Sequence, residues 1–392
     1  MTAVTTAASG VSGSGLGRLT FFLLLAFVAS LQVSIAAANI LLAITAVLWL
    51  VLLGRGQVPR VAPSFLLPLV LYGVATLVSA AFSLDPGASL IDSRQLLLFA
   101  VVPLVCSVTP RDRAGTVLTV VVTVGAASAV FGIVQYALLH YDALGRRPDG
   151  ALTHYMTYSG TLMLALCVTT AQLVFDTRER TWPALVLPAL VVALALTFTR
   201  NAWVGACVAA SLLFLIRDFR LVALLPIVVA LLAALAPDAV TNRMLSIFDL
   251  RDPSNRDRLA MMRTATAIIR DDPWTGVGPN MVPEVYERYR DADAVNADTP
   301  HLHNVPLQIA AERGLPALAI WCWFVAACAV ALVRRLRGPG EKSTAAAALA
   351  ALAAMLAAGL FEYNFGDSEF LMLFLVLIAL PFAAGPQRNP TR

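Results

Sequence analysis

Charge is what this sequence has least of. Only 13% of its 392 residues are Asp, Glu, Lys or Arg, while 59% are hydrophobic and the mean hydropathy is +0.78. A soluble domain carries roughly 25% charged residues, so this balance excludes one and implies a polytopic membrane protein. Cysteine is also sparse, and Cys106, Cys167, Cys207, Cys322 and Cys328 all fall inside apolar runs. There a thiol behaves as a small buried hydrophobe, and no disulfide framework is implied. The arginines are scattered among loops without a basic stripe and the net charge is only +4, which argues against nucleic acid as a partner. No small-residue cleavage site follows the first apolar segment, so the expectation is an uncleaved first span after a mobile Ser/Gly/Thr-rich start, "MTAVTTAASGVSGSGLGR". No internal repeat stands out.

Long apolar runs dominate what is there. "SFLLPLVLYGVATLVSAAF" and "LMLFLVLIALPF", extended where a neighbouring run continues them, reach across a ~30 Å hydrocarbon core as helices; open sheets are excluded there because their edges would be unsatisfied. About twelve spans are expected, near 19–36, 38–54, 64–82, 94–109, 115–139, 156–175, 181–199, 202–217, 220–237, 304–333, 343–362 and 369–386. The Ala-rich eleventh, "TAAAALAALAAMLAAGL", suggests close helix packing. If the N-terminus is cytoplasmic, that side collects Arg18, Arg55, Arg60, Arg111, Arg113, Arg178, Arg180, Arg217, Arg220, Arg334, Arg335, Arg337, Lys342, Arg388 and Arg392. The opposite short loops hold only Arg94, Arg146, Arg147 and Arg200, so the positive-inside rule predicts both ends in the cytoplasm.

One long polar segment, 238–303, then falls on the external side and divides the chain into helices 1–237, an external domain 238–303 and helices 304–392. Within it "SNRDRLAMMRTATAIIRDDP" reads as a helix with Ser254 as N-cap, Asp257 at the capping-box position and Pro273 beyond its end. Leu259, Met262, Thr266 and Ile269 make its apolar stripe, with Arg256, Arg263 and Arg270 on another face and Arg258 at the edge. "TGVGPN" reads as a glycine turn before a short helix, "MVPEVYERYR".

The residues suited to chemistry gather on the same side. His140, His154, His301 and His303 are all external. Two apart, His301 and His303 cannot share a helix face, and no carboxylate or third ligand is spaced to complete a metal site, so no metal is expected. One of them caps or packs the tenth span in the plainer reading; in the other, an imidazole with its ordinary pKa of ~6.5 serves as general base. In "LTFTRNAWVG", Arg200 lies between apolar runs where charge is costly, which marks it as a functional candidate or a snorkelling side chain. Trp203 reads as an interfacial anchor. Arginine forks bind phosphate bidentately, so several external arginines suggest a lipid diphosphate. The "DAD" at 291–293 matches a sugar-transferase metal pattern only superficially. Glu362, Asp367 and Glu369 read as solvated loop charge, with orienting an arginine or contacting acceptor hydroxyls as the functional alternative.

Three segments together resemble the O-antigen ligase family of bacterial envelope glycosyltransferases. "FTRNAWVG" is similar to its Ser/Thr-Arg-x-x-Trp pattern. "RLAMMRTATAIIRDDPWTGVGPN" is similar to its external-loop stretch, with Arg258 at the arginine position and Met262 in place of the usual Trp. "HNVPLQIAAERGLPAL" is similar to its His-Asn-x-x-Leu-Gln-x-x-x-Glu-x-Gly signature, with His303 at the histidine and Pro316 and Ala317 where a small residue is common. The resemblance implies an all-α, GT-C-like membrane glycosyltransferase with one large periplasmic loop, moving a polysaccharide from undecaprenyl diphosphate to lipid A-core without a cofactor. It implies His303, Arg200 and Arg258 as catalytic, with Arg256, Arg263, Asn304, His301, Trp203, Arg147 and Glu362 as substrate contacts. A polymerase of O-antigen repeats shares the donor chemistry but not the acceptor. Protein-glycosylating members resemble longer chains with an added C-terminal domain. A transporter would carry its charges at the midplane of broken, paired helices.

Overall fold

The computed structural model describes residues 15–176 and 179–385. Segment 1–14, Arg178, Arg388 and Arg392, all used in the sequence reading, lie outside the described residues. Among the described residues sixteen α-helices follow in order, with short 3-10 helices between some of them and no strand. The first half holds α1 (Gly15–Ser30), α2 (Ile35–Gly54), α3 (Leu66–Ala81), α4 (Pro86–Asp92), α5 (Val101–Val108), α6 (Ala114–Leu139), α7 (Tyr155–Phe175) and α8 (Thr181–Leu196). The second holds α9 (Arg200–Arg217), α10 (Leu224–Leu235), α11 (Asp238–Leu245), α12 (Pro253–Asp271), α13 (Val282–Tyr289), α14 (Val305–Arg337), α15 (Lys342–Gly359) and α16 (Ser368–Ala379). Seven helical stretches are long and apolar enough to cross a membrane, and five apolar helices of 10–17 residues fall on the remaining expected spans.

Among the seven longer stretches the Ala-rich α15 is the most enclosed, and it packs against α7 and α9. Side chains without bulk allow backbones to approach: a Cβ on Gly205 of α9 would overlap Met163 of α7 and come within 2.9 Å of the Ala354 carbonyl of α15. At the opposite extreme, α10 has no buried residue; its aliphatic side chains face outward, as a lipid solvent permits. The same holds for two of the five cysteines. Cys106, Cys167 and Cys328 are buried, but Cys207 and Cys322 face outward, because an apolar run seeks either the core or the lipid and the sequence does not tell which.

The 238–303 segment has its own small core of Met261, Ala265, Ile268, Val277, Met281, Val282, Val285 and Tyr286, which continues into Leu302 and Ala311. The expected stripe on α12 is therefore off by one position. Met261, Thr264, Ala265 and Ile268 are buried, while Leu259 and Met262 are 43% and 45% exposed. The Met261–Met262 pair left the register open, and contact with α13 and α14 decided it. The N-cap is Asp252, not Ser254: its carboxylate accepts from the Ser254 and Asn255 amides, and Pro253 occupies the first turn where a missing N–H costs nothing. Asp257 does not close a capping box. It is buried and accepts from the Val295 and Asn296 amides at 2.9 and 3.1 Å, fastening the 291–298 loop to α12.

The glycine turn is wedged against a break in α14. Gly314 has φ 79° and ψ 167° within that helix, a conformation open to glycine alone among ordinary residues. There the Leu315 amide donates to the Pro273 carbonyl at 2.8 Å, and the Val277 and Gly278 amides donate to the Ala311 and Glu312 carbonyls at 3.0 and 2.9 Å. Ser79 of α3 completes the joint by donating to the Thr275 and Glu312 carbonyls. A buried pair absent from the sequence reading, Arg313 and Glu312 at 2.7 Å, adds a link to α4 through Asp92 at 3.8 Å.

Candidate active site

The residues 301–304 stand between this small core and α14. Asn304 is the N-cap: its Oδ1 accepts from the Leu307 amide at 2.9 Å, while its Nδ2 donates to the Leu360 carbonyl at 2.9 Å and ties the loop to the end of α15. Gln308, one turn into the helix, accepts from the Leu302 amide at 2.7 Å. His303 is held between these fastenings at φ 48°, a left-handed conformation uncommon for a side chain with a Cβ. The plainer reading, a histidine capping the helix, is thereby corrected: the cap is Asn304.

The Glu362 carboxylate reaches both imidazoles. His303 Nδ1 lies 2.8 Å from Oε2 and His301 Nε2 lies 3.3 Å from Oε1, with the two rings edge to face at 4.3 Å. Glu362 is buried, 7% exposed, not the solvated loop charge expected. Burial alone would push its carboxyl up, but the His303 hydrogen bond, the two imidazoles and Arg258 hold it down at about 2. Burial lowers His301 to about 4, against the pull of Glu362, so His301 is neutral at ordinary pH. An ionised carboxylate only accepts, so His303 carries its proton on Nδ1 and leaves Nε2 as the basic nitrogen. The expectation that no third ligand stands near the histidines is corrected too. His301, His303 and Glu362 each bring a ligand atom within 4.8 Å of the others and form a set that could hold a metal ion. The third member comes from 59 residues away, beyond any local spacing rule.

Arg200 opens α9 and is buried, 6% exposed. It does not snorkel. Nη1 donates to the Ser246 carbonyl at 2.9 Å and Oγ at 3.0 Å; Nη2 donates to Asp252 Oδ1 and Ser254 Oγ, each at 3.1 Å. Asp252 is shared with Arg243 at 3.3 Å. Burial lowers the Arg243 guanidinium to about 10, helped by Arg200 and opposed by Asp252. Arg258 is less engaged, reaching only Ser254 Oγ at 3.5 Å. Burial lowers it and the nearby Glu362 carboxylate raises it. Arg147, from the loop before α7, lies over the Tyr155 ring at 4.4 Å and feels the charge of Arg200. Arg147, Arg200, Arg243 and Arg258 thus form one cationic group beside Glu362, with Asp252 as the carboxylate inside it.

Other expected contacts lie elsewhere. Arg263 is exposed and pairs with Asp291 and Asp293 at 3.4 and 2.9 Å, which also accounts for the "DAD". Arg256 is exposed on the outer face of α12. Trp203 donates from Nε1 to the Leu194 carbonyl at 2.8 Å and pins α9 to α8.

The O-antigen ligase family model matches residues 183–322. Over those residues the chain is similar to that family. Among curated proteins nothing matches the chain. The matched region spans α8 to the middle of α14 and so includes Arg200, Arg243, Arg258, His301 and His303, while Arg147 and Glu362 reach the site from outside it. Sequence reasoning missed Arg243 and Asp252, which carry no motif signal in this chain and acquire meaning only beside Arg200.

Proposed function

We propose that this chain is an O-antigen ligase of the bacterial inner membrane. It transfers O-antigen polysaccharide from undecaprenyl diphosphate to lipid A-core on the periplasmic side, where the charge asymmetry of the loops places the 238–303 segment. The observation that carries the reading is the hydrogen bond of His303 Nδ1 to the buried Glu362, set beside four arginines. Glu362 fixes the tautomer and stabilises the imidazolium that forms, as an orienting carboxylate does for other histidine bases. His303 Nε2 takes the acceptor hydroxyl proton as that oxygen attacks the anomeric carbon. The bond from that carbon to the diphosphate breaks, its electron pair leaving with the diphosphate, and the single displacement inverts configuration.

Arg258 and Arg147 face the developing negative charge, and one such contact is worth ~3 kcal/mol, or about a hundredfold in rate. Arg200 and Arg243, gripped by Ser246, Asp252 and Ser254, position α11 and α12 and add to the field. The reaction is metal-independent in this reading, which the chelator arm of the test below addresses. Polyprenyl diphosphate, lipid A-core and membrane lipid are the partners.

The test is transfer by the full-length protein in proteoliposomes, with chelator present, from undecaprenyl-diphosphate-linked glycan to purified lipid A-core. The parent is expected to transfer, and His303→Ala to fold and lose activity. Elongation of the lipid-linked glycan without transfer to lipid A-core would make the protein a polymerase instead; loss of transfer with chelator would overturn metal independence.

A further inference from the structure

Behind the imidazole pair a cavity of about 180 Å³ opens among α7, α9, α15 and α16. His301 and Glu362 form one wall, and His154, Asn201, Asn364 and Asp367 stand among its other lining groups. The Asp367 carboxylate is committed, capping α16 at the Phe370 amide and accepting from Thr157. Two other groups, Asn201 and His154, are open. Asn201 is buried as a residue, 7% exposed, and among the described residues its side-chain amide has no hydrogen-bond partner. Asn364 is not open: it donates from Nδ2 to the Met355 carbonyl, and its unpartnered Oδ1 is sealed from solvent. His154 stacks on Tyr155 and makes no capping bond, and it is exposed, so it marks the mouth.

Buried amides are nearly always paired, and leaving one unpaired is costly. One left unpaired at a hollow describes a site that expects a polar guest. Waters at ~30 Å³ each would satisfy a few of these groups. The donors and acceptors are however arranged around apolar walls from Met163 and Phe370, a pattern that suits a ring with hydroxyl edges and an aliphatic face. No arginine is among the lining residues and two carboxylates are, which disfavours the diphosphate.

We infer that this cavity binds one uncharged sugar ring of a glycan substrate, with Asn201 and His154 reading its hydroxyls. The inference rests on the ligase reading for the identity of the glycans, but not for the existence of the site.

The experiment is saturation-transfer NMR on the full-length protein in detergent, with two probes measured separately: lipid-free core oligosaccharide and lipid-free O-antigen oligosaccharide. The parent is expected to bind one of them, and whichever binds identifies the cavity as an acceptor or a donor subsite. Asn201→Ala is expected to weaken that binding about tenfold, or ~1.4 kcal/mol. His154→Ala, at the exposed rim where folding is not at stake, is expected to weaken it in the same direction. Binding of neither probe, or binding unchanged in both variants, overturns the proposal and leaves a water-filled hollow. Glycan transfer is followed on the same preparations. Binding without transfer keeps the cavity and removes the ligase reading; transfer with unchanged binding in both variants does the reverse.

Discussion

Glu362 shows most clearly what a single residue owes to its surroundings. In the sequence it is one of three acids in a short connection; in the fold it is buried between two imidazoles, at 2.8 and 3.3 Å. Its carboxyl falls from an ordinary 4.5 to about 2. A depressed carboxyl contributes stability above its unfolded value, and that contribution is lost as pH falls through the folded one. Here the window is about 4.5 down to 2, so Glu362 stays ionised throughout pH 5–8. Glu362→Gln keeps the shape and removes the charge that holds the imidazolium. Initial rates of glycan transfer are expected to fall about a hundredfold, ~2.7 kcal/mol, at every pH in that range. His303→Ala and the double variant should be no more than slightly worse than one another, because paired groups act as a unit. Fully additive losses would show that the two residues work separately. Arg200 makes the complementary point: the sequence marks it as important, but only the fold shows that its four hydrogen bonds go to Ser246, Asp252 and Ser254.

At the scale of elements, two sequence motifs turn out to be halves of one joint. The Pro-x-x-Gly-x-Gly stretch and the Glu-x-Gly stretch meet where α14 breaks at Gly314, and backbone hydrogen bonds bind them. A Cβ at Gly314 would both sit at φ +79° and overlap the Trp274 carbonyl. Gly340 has φ +115° but nothing within 4 Å, and Gly54 has open space and no positive φ. Alanine at the three sites should therefore lower the melting temperature of the detergent-solubilised protein most at Gly314, less at Gly340 and hardly at all at Gly54. Strain of this kind costs roughly 1–3 kcal/mol before any clash. An equal effect at Gly314 and Gly340 would show that the joint contributes nothing beyond local strain. The existence of α12 was legible from its polar cap and charge pattern, but its register was not. Asp257 explains why: a residue whose carboxylate serves a loop 38 residues away cannot be distinguished locally from a capping acid.

For the whole molecule, the lopsided distribution of arginine predicts an orientation that can be measured directly. In cells expressing a cysteine-free background, a thiol placed at the exposed Trp274 should react with a membrane-impermeant maleimide from outside the inner membrane. A thiol at Gly340, between α14 and α15, should react only after that membrane is permeabilised. The opposite pattern would invert the orientation and place the imidazole pair on the cytoplasmic side, where no lipid A-core acceptor is presented as periplasmic ligation requires.

By itself the sequence determined the solvent and the elements. Apolar length sets which segments can cross a membrane, the scarcity of charge excludes a soluble domain, and the three motifs carry the family resemblance, because each of these properties is local or compositional. The tertiary structure alone decided what the marked residues do. It brought Glu362 to His303 across 59 positions, gathered Arg147 from the first half of the chain beside Arg200, Arg243 and Arg258, and left the Asn201 amide open to a cavity. Burial and hydrogen-bond partners are properties of neighbours in space, and those neighbours are supplied by helices far apart in the chain.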